Sequence, residues 1–271
     1  VVPEAYGGLG GSLRDLAAAT FAMGTACPST ALAYFFHCST SSRGILALDA
    51  IEAGKFTDEE IPAVKTFAEN VLHRMGTKNQ LLGNFASETA KSSQSAVFIS
   101  TEAEKVDGGW KLNGVKSFGC NTGVADAYLV AAKLKGYDTA EGLVMFFVPR
   151  EAEGVKERPQ WDALGMRATA SHGIILENVF VPDEESLATP GAFVKLMQSS
   201  RGSLMGNQPA ISAIYLGAAK QAYDYALEKT MSMKFEDTGK PIASSAFHQE
   251  LIGKMTVEIE TARLWLRRQI D

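Results

Sequence analysis

The stretch GGWKLNGVKSFGCN, residues 108–121, carries the densest strand and turn signals of the chain and lies between long segments of helical character. Asn113-Gly114 separates two short runs of apolar or β-branched residues and accepts positive φ at both central turn positions, so it predicts a tight hairpin. Asp107-Gly108-Gly109 predicts a second turn just before it. The strand after the hairpin should end at Phe118–Cys120, where an aromatic ring, a glycine and a small polarisable side chain emerge together. These residues are consistent with the edge of a site for a planar ligand, although a buried phenylalanine in an ordinary meander is the more common arrangement.

The composition is that of a globular protein, with 271 residues of which 46% are hydrophobic and 21% are charged. This length gives a sizeable core and one to three domains. The net charge of -5 and the lack of a Lys/Arg run give no indication of a nucleic-acid partner, and no apolar run is long enough to span a bilayer. The three cysteines lack CxxC spacing, which is typical of reduced thiols in a cytosolic protein rather than of a disulfide or metal framework.

Both ends of the chain look incomplete. The sequence begins Val1-Val2-Pro3 without Met, and an amphipathic helix over residues 251–270 is still running where the sequence stops. We therefore expect part of the natural protein to be missing at both ends.

Helical and strand signals are segregated along the chain. Helices are predicted over residues 13–23 behind an N-cap at Ser12, over 28–38, over 57–74 and, after the strands, over 211–230 and 246–270. Strands are predicted between them, over 96–106, 127–133 and 143–148, with a final pair at 174–176 and 179–181. Segregated runs favour an α+β fold over alternating βαβ units. We expect a helical domain at 1–81, a β-domain at 82–190 and a second helical domain at 191–271.

Three stretches together resemble the acyl-CoA dehydrogenase family. PEAYGG (3–8) is similar to its P-E-x-Y-G-G motif, GWKLNGVKSFGCNTGVADAYLVAA (109–132) to its G-x-x-L-N-G-x-K-x-W-I-T-N-x-x-x-A-D pattern, and WDALGMRATASHGIILENVFVP (161–182) to its L-G-M-R-x-T-x-S…x-V-x-V-P signature. The ordered set covers nearly all of the chain. The resemblance implies an N-terminal helical domain, a central antiparallel β-barrel or sandwich domain and a C-terminal helical bundle. It also implies a flavin, normally FAD, between the last two.

The resemblance places a first flavin-binding segment, L-T-E-P-x-A-G-S-D in the family, on residues 86–94. Ser87, which follows Ala86, replaces the Thr that bonds the flavin ring, and Ser93 matches the family Ser. We therefore expect Ala86, Ser87 and Ser93 to contact the flavin, and Ser93 to contact the substrate as well.

A second flavin-binding segment, W-I-T in the family, falls on Phe118-Gly119-Cys120. Phe118 can still stack on the ring, whereas Cys120 is a poorer hydrogen-bond donor than the family Thr or Ser. In the loop that grips the FAD pyrophosphate, Lys234 stands near the position of a family Arg, as a point charge without the bidentate fork. A solvated loop lysine is an equal alternative for this residue.

The catalytic base cannot be named from this sequence. The family needs a carboxylate near the substrate α-carbon, and one family position precedes an Arg early in the C-terminal bundle. That pair falls on Ser200-Arg201, or in an alternative alignment on Asn207-Gln208, so the acid is missing there. The other family position would lie beyond Asp271. Arg201 and Ser171 remain the further residues expected to contact the substrate.

The resemblance implies an oxidoreductase acting on CH–CH bonds, most simply α,β-dehydrogenation of an acyl-CoA thioester with hydride transfer to flavin N5. Two-component monooxygenases share the fold and need no carboxylate base. They use reduced flavin, FAD or FMN, and O₂ on small aromatic or sulfur compounds, with Ser171 and His172 as candidate contacts. A degenerate, non-catalytic flavoprotein is the second alternative.

The resemblance also implies the partners. The small-molecule substrate is an acyl-CoA of fatty acid metabolism or another compound, and the redox partner is an electron-transfer flavoprotein or a flavin reductase. We expect a cytoplasmic homotetramer that binds neither nucleic acid nor a membrane.

Overall fold

A computed structural model of the protein describes residues 1–89, 99–199 and 207–270. The α-helices in these ranges are α1 (Leu13–Ala26), α2 (Pro28–Glu52), α3 (Ile61–Gly76), α4 (Ala192–Ser199), α5 (Asn207–Ser232) and α6 (Ala246–Ile270). The strands are β1 (Leu82–Phe85), β2 (Glu102–Val106), β3 (Gly109–Lys116), β4 (Ala127–Leu134), β5 (Leu143–Pro149), β6 (Val155–Arg158), β7 (Gly173–Pro182) and β8 (Ser186–Leu187). The predicted order of helices, strands and helices is confirmed.

The chain groups into two compact units. One consists of Val1–Gly11 and Phe36–Met205 and holds the sheet, whereas the other consists of Ser12–Phe35 and Gly206–Asp271. The three-domain division with limits after residues 81 and 190 stays a prediction.

The described strands form one mixed sheet in the order β6-β7-β3-β2-β4-β5-β8, with β1 paired to β4 off this path. The β1–β4 and β2–β4 pairings are parallel and the remaining pairings are antiparallel. The resemblance implies an antiparallel central domain, whereas the observed sheet is mixed. The difference arises because β4 has two parallel neighbours, one at its N-terminal half and one at its C-terminal half.

The continuous apolar run of β5 predicts a strand buried on both faces, and this prediction is confirmed. Met145 and Phe147 pack into a core cluster shared with α2 and α3, where the ring of Phe147 stacks on Phe67 at 5.7 Å between centroids. The alternate residues of β5, including Phe146, belong to a second cluster on the opposite face with β3 and β7. Successive strand side chains point to opposite faces, so one apolar strand joins both halves of the core.

The predicted hairpin at Asn113-Gly114 is wrong. Strand β3 runs through this dipeptide, and the hairpin turn lies one strand earlier, at Asp107-Gly108, where Gly108 has φ 71°. A glycine is needed at position 114 for space rather than for positive φ, because a Cβ there would lie 2.4 Å from Thr101 Oγ1. The Asp107-Gly108-Gly109 turn is confirmed.

The predicted pair of strands at 174–176 and 179–181 is a single strand, β7. Its residues Leu176 and Val179 face Gly114 and Leu112, so β7 carries one extra residue there and forms a β-bulge. Asn178 adopts φ 53° in the bulge, and its backbone N–H donates to Asn113 Oδ1 at 2.9 Å. The break in the apolar pattern therefore marks a bulge and not a turn.

Helix α2 does not end at His37-Cys38 as predicted but continues to Glu52. Ser and Thr hydroxyls in residues 39–42 donate to backbone carbonyls three or four residues earlier, for example Thr40 Oγ1 to the Phe36 carbonyl at 3.0 Å. These bonds satisfy the hydroxyls internally, so a polar run is buried without breaking the helix.

Candidate functional site

An exposed aromatic ring lies beside the end of β1. The Ser117 N–H donates to the Ser87 carbonyl at 2.9 Å, which holds the segment after β1 against the end of β3. Ala86 and Ser87 are exposed here, and the Phe118 side chain is 51% exposed. We call the surface formed by Ala86, Ser87 and Phe118 the platform. The structure thus brings together three of the residues predicted to bind flavin.

The Phe118 ring packs against a fixed neighbour. Trp161 meets it edge-on at 5.8 Å between ring centroids, and the Trp161 indole N–H donates to the Met166 carbonyl at 2.9 Å. An apolar ring that is half exposed and held in place is suited to stack on a planar ligand. The platform therefore fits one face of a flavin ring, with the Ser87 hydroxyl as an available hydrogen-bonding group.

Gly119 is required by close packing behind the platform. Its N–H donates to the His172 carbonyl at 3.0 Å, and a Cβ at this position would lie 2.5 Å from the Phe85 ring. Real side chains do not approach so closely, so only glycine permits Phe118 to emerge at this point. Contact of Gly119 with a flavin stays a prediction.

Cys120 and Ser171 lie in a buried hydroxyl and thiol cluster. Ser171 Oγ lies 2.6 Å from Thr169 Oγ1 and 3.2 Å from Cys120 Sγ. Burial raises the pKa of the Cys120 thiol, although the hydrogen bonds with Ser171 and Thr169 oppose this rise. The visible role of the cluster is to join two loops. Flavin contact by Cys120 and substrate contact by Ser171 stay predictions.

His172 acts as a structural residue. Its Nδ1 accepts the backbone N–H groups of Gln160 and Trp161, both at 3.1 Å, which holds the ring in one orientation. The Gln160 side chain then donates to the Ser117 carbonyl at 2.5 Å. His172 is thus fixed in the loop that supports the platform, a role that the sequence pattern did not indicate.

A buried ion pair lies directly behind the platform. Glu88 and Lys116 approach to 2.7 Å with side-chain exposures of 1% and 0%. Glu88 also accepts from Ser100 N at 2.6 Å, from Thr101 N at 3.0 Å and from both hydroxyls of these residues. Sequence reasoning missed this pair. A lysine at an inward-facing position of a strand was the signal that could have found it.

The pKa values of the pair follow from its surroundings. Burial alone raises the pKa of Glu88, but the charge of Lys116 and the donated hydrogen bonds outweigh burial and lower the pKa to about 2. Burial lowers the pKa of Lys116 to about 8 against the opposing charge of Glu88. Both groups are charged at pH 7, and the pair fixes the backbone between Ala86 and Phe118.

An apolar cavity of about 560 Å³ opens beside the platform, within the unit that holds the sheet. Ala86 belongs to both, because it lines the cavity and precedes Ser87. The described lining residues come from α2, the segments after β1 and before β2, strands β4 and β5, and α4: Arg43, Asn84, Ala86, Ile99, Ala131, Ala140, Leu143, Val144, Met145, Phe193, Val194, Met197 and Gln198. None of these lining residues carries a carboxylate, so no candidate base is found there.

Arg43 and Asn84 are polar residues of this cavity that sequence reasoning missed. In residues 37–48 Arg43 is the single Lys, Arg, Asp or Glu residue, which was the available signal. His37, near the end of the helix predicted over residues 28–38, is a partly buried histidine with a backbone partner. Its Nδ1 accepts the Leu82 N–H at 3.1 Å, and burial lowers its pKa although Asp126 opposes this.

Four predicted positions cannot be compared with the platform. Ser93, Ser200 and Arg201 lie outside the described residues. Lys234 lies in the other unit, where its backbone pairs with Pro241 and its side chain is exposed in a loop. Their roles toward flavin, substrate and base stay predictions. The described helices include none that is long and apolar enough to cross a membrane.

Comparison with known proteins relates this geometry to flavin enzymes. Residues 84–179 match the family model "Acyl-CoA dehydrogenase, middle domain". The chain is 30% identical over 269 residues to cyclohex-1-ene-1-carbonyl-CoA dehydrogenase of Syntrophus aciditrophicus (strain SB), covering 99% of this chain and 60% of that protein. It is 34% identical over 166 residues to dibenzothiophene monooxygenase of Mycolicibacterium goodii, covering 60% of this chain and 40% of that protein.

The fold is also that of a solved relative. The structure of butyryl-CoA dehydrogenase from Megasphaera elsdenii superposes with a TM-score of 0.77 at 23% identity, covering 98% of this chain and 66% of that chain. The α+β fold predicted from the order of elements is confirmed by this likeness. The chain spans about 60% of the length of the Syntrophus relative.

Proposed function

Because the chain belongs to the acyl-CoA dehydrogenase family, we propose that it is a flavin-dependent oxidoreductase that dehydrogenates an acyl-CoA thioester between its α and β carbons. The proposal rests on the position of Ala86, which belongs to the exposed platform and also lines the apolar cavity. A planar ligand on the platform and an apolar acyl chain in the cavity would then lie side by side. The family match over residues 84–179 includes the platform and the part of the cavity lining between Asn84 and Met145.

The residues of this chain bind and orient. Phe118 would stack on the flavin, which we propose to be FAD, and Ser87 would hydrogen-bond its edge, while the Glu88–Lys116 pair keeps both segments in register. The flavin, when bound, supplies hydride acceptance. The α-carbon would lose its proton to a carboxylate base, which is not found among the described residues of the cavity lining, and the β-carbon would lose a hydride to the flavin as the double bond forms. The cavity would exclude water from these carbons.

A two-component monooxygenase acting on a small aromatic or sulfur compound is the second candidate. It is favoured by the 34% identity to dibenzothiophene monooxygenase and by the lack of a carboxylate among the described residues of the cavity lining. It would use reduced FAD or FMN and O₂. The dehydrogenase is placed first because the Syntrophus relative matches 99% of this chain, whereas the monooxygenase match covers 60%.

The redox partners differ between the two candidates. A dehydrogenase would pass electrons to an electron-transfer flavoprotein, whereas a monooxygenase would receive reduced flavin from a flavin reductase. We propose a homotetramer located in the cytoplasm in either case. A non-catalytic flavoprotein would bind flavin without either exchange.

The deciding experiment follows flavin absorbance anaerobically while a panel of acyl-CoAs is added to the flavin-loaded protein. Bleaching by a thioester supports the dehydrogenase. A protein that ignores every thioester but consumes reduced flavin and O₂ with an aromatic or sulfur compound is a monooxygenase. A protein that binds flavin and does neither is the non-catalytic alternative.

A variant of the platform tests where the flavin binds. Phe118→Ala should weaken flavin affinity about 2- to 10-fold, because a stacked aromatic pair contributes about 0.5–1.5 kcal/mol. Phe180→Ala is the matched control, since Phe180 is 49% exposed against 51% for Phe118 but lies on β7 away from the platform. Flavin affinities are measured by fluorescence titration. Equal losses in both variants would contradict the platform as the flavin site.

A further inference from the structure

Among the residues that the structure describes, Arg43 is a buried cation without a counter-charge. Only 7% of the residue is exposed, and among the described residues Nε and Nη1 have no hydrogen-bond partner. Burial lowers its pKa to about 10, and no neighbouring charge opposes the shift. A guanidinium group costs free energy when it is buried without an acceptor, so native proteins pair such groups with an anion. The acceptor is missing from the described part of the chain.

Arg43 lines the cavity beside the platform. The cavity is otherwise apolar apart from the neutral amides of Asn84 and Gln198, and no described acidic residue lines it. The hydroxyls that precede Arg43 on α2, at residues 39–42, donate to backbone carbonyls of the same helix. A ligand that is complementary to this lining has an apolar body to contact the apolar side chains and one anionic end to pair with Arg43.

We propose that Arg43 binds a terminal carboxylate of the acyl group, so that the substrate class is an ω-carboxyl acyl-CoA. The planar guanidinium donates two parallel N–H bonds, which match the two oxygens of a carboxylate. A phosphate offers the same anionic oxygens, but it carries more charge into an apolar cavity and has no apolar body. The thioester part of this inference rests on the proposed function, whereas anion binding by Arg43 does not.

The test compares adipyl-CoA with hexanoyl-CoA on the flavin-loaded protein, with dissociation constants from calorimetry. We expect adipyl-CoA to bind at least tenfold more tightly, which is about 1.4 kcal/mol. Arg43→Gln should abolish this preference and Arg43→Lys should keep part of it. Arg74→Gln is the matched control, because Arg74 is also buried but is already paired with Glu185 and Gln80. It should leave the preference unchanged.

Further arms separate the possible failures. If the wild-type protein shows no preference for adipyl-CoA, or if Arg43→Gln retains one, the proposal is overturned without reference to folding of any variant. If Arg43→Gln weakens CoA and both thioesters alike, the anion is a phosphate and the carboxylate assignment is wrong. If no thioester binds but free adipate binds more tightly than hexanoate in an Arg43-dependent manner, the anion site stands and the proposed dehydrogenase fails.

Discussion

At the scale of single residues, the buried Glu88–Lys116 pair makes the sharpest stability prediction. Glu88→Gln leaves the buried charge of Lys116 without its counter-charge and should cost about 3–5 kcal/mol of unfolding free energy. Lys116→Met should cost less, because Glu88 keeps the donors of Ser100 and Thr101. The double variant should recover part of the loss. Urea unfolding measures all three, and a loss below 1 kcal/mol for Glu88→Gln would contradict the assigned role.

The same pair predicts a dependence of stability on pH. The pKa of Glu88 falls to about 2 in the folded protein, against about 4.3 in an unfolded chain. The unfolded state therefore binds the proton first, so the stabilisation by Glu88 is present above pH 4.3 and is lost as the pH falls from about 4.3 to about 2. Unfolding midpoints measured across this window should fall less steeply in Glu88→Gln than in the wild-type protein. Parallel curves would show that Glu88 does not titrate as inferred.

Gly119 makes a prediction about space behind the platform. Gly119→Ala places a methyl group 2.5 Å from the Phe85 ring, so it should cost about 1–3 kcal/mol of stability and shift Phe118 from its position. Gly165→Ala is the matched control, because a Cβ at Gly165 has no described atom within 4 Å and its φ is not positive. Thermal unfolding and flavin affinity are measured for both variants. A Gly119→Ala protein that matches the control in both would contradict the tight packing.

At the scale of elements, the start of α1 illustrates a local signal that holds in the fold. Ser12 accepts the Asp15 N–H at 3.2 Å while Asp15 accepts the Ser12 N–H at 2.7 Å, which forms a capping box. Ser12→Ala should therefore cost about 1 kcal/mol, as measured by urea unfolding. Ser232→Ala at the end of α5 should change stability by less than about 0.5 kcal/mol, because its hydroxyl is exposed and makes only a 3.3 Å bond within the helix. Equal effects would remove the capping interpretation.

The elements also show what sequence can and cannot predict. Strand β5 was predictable because an apolar run that contributes to both faces of the sheet has its signal in its own residues. The absence of a turn at Asn113-Gly114 was not predictable. The conformation of this dipeptide depends on contacts with Thr101 and Asn178, which are distant in sequence. The continuation of α2 was hidden as well, since hydropathy does not show that hydroxyls bond back to the helix. Tertiary contacts override local propensity at such positions.

The same distinction applies to the candidate site. Ser87 and Phe118 came from motif resemblance, and the structure places them on one surface. Arg43 could not be predicted as a cavity residue, because its position requires both the full length of α2 and the strands that face it. In the described part of the chain, the lack of a hydrogen-bond partner for its Nε and Nη1 is a property of the packed unit and not of any sequence motif.

At the scale of the whole molecule, the proposed roles of FAD and Lys234 predict how much each flavin stabilises the protein. If the protein is the proposed dehydrogenase, FAD at 100 times its dissociation constant should stabilise it by about 2.7 kcal/mol, which corresponds to a rise in Tm on the order of 5–10 °C. FMN at the same concentration should give a smaller rise, because it lacks the adenylate and the pyrophosphate linkage.

Lys234→Gln should reduce the Tm rise with FAD and leave the Tm rise with FMN nearly unchanged. The reason is that a lysine near the pyrophosphate interacts with the charge of that linkage, which FMN lacks. Lys240→Gln is the matched control, since both lysines are exposed in the same loop, whose backbone is closed by the Phe235 N–H to Lys240 carbonyl bond at 3.0 Å. Equal effects of the two variants would make Lys234 a solvated loop lysine. Equal stabilisation of the wild-type protein by FAD and FMN would instead favour the monooxygenase, because that candidate accepts either flavin.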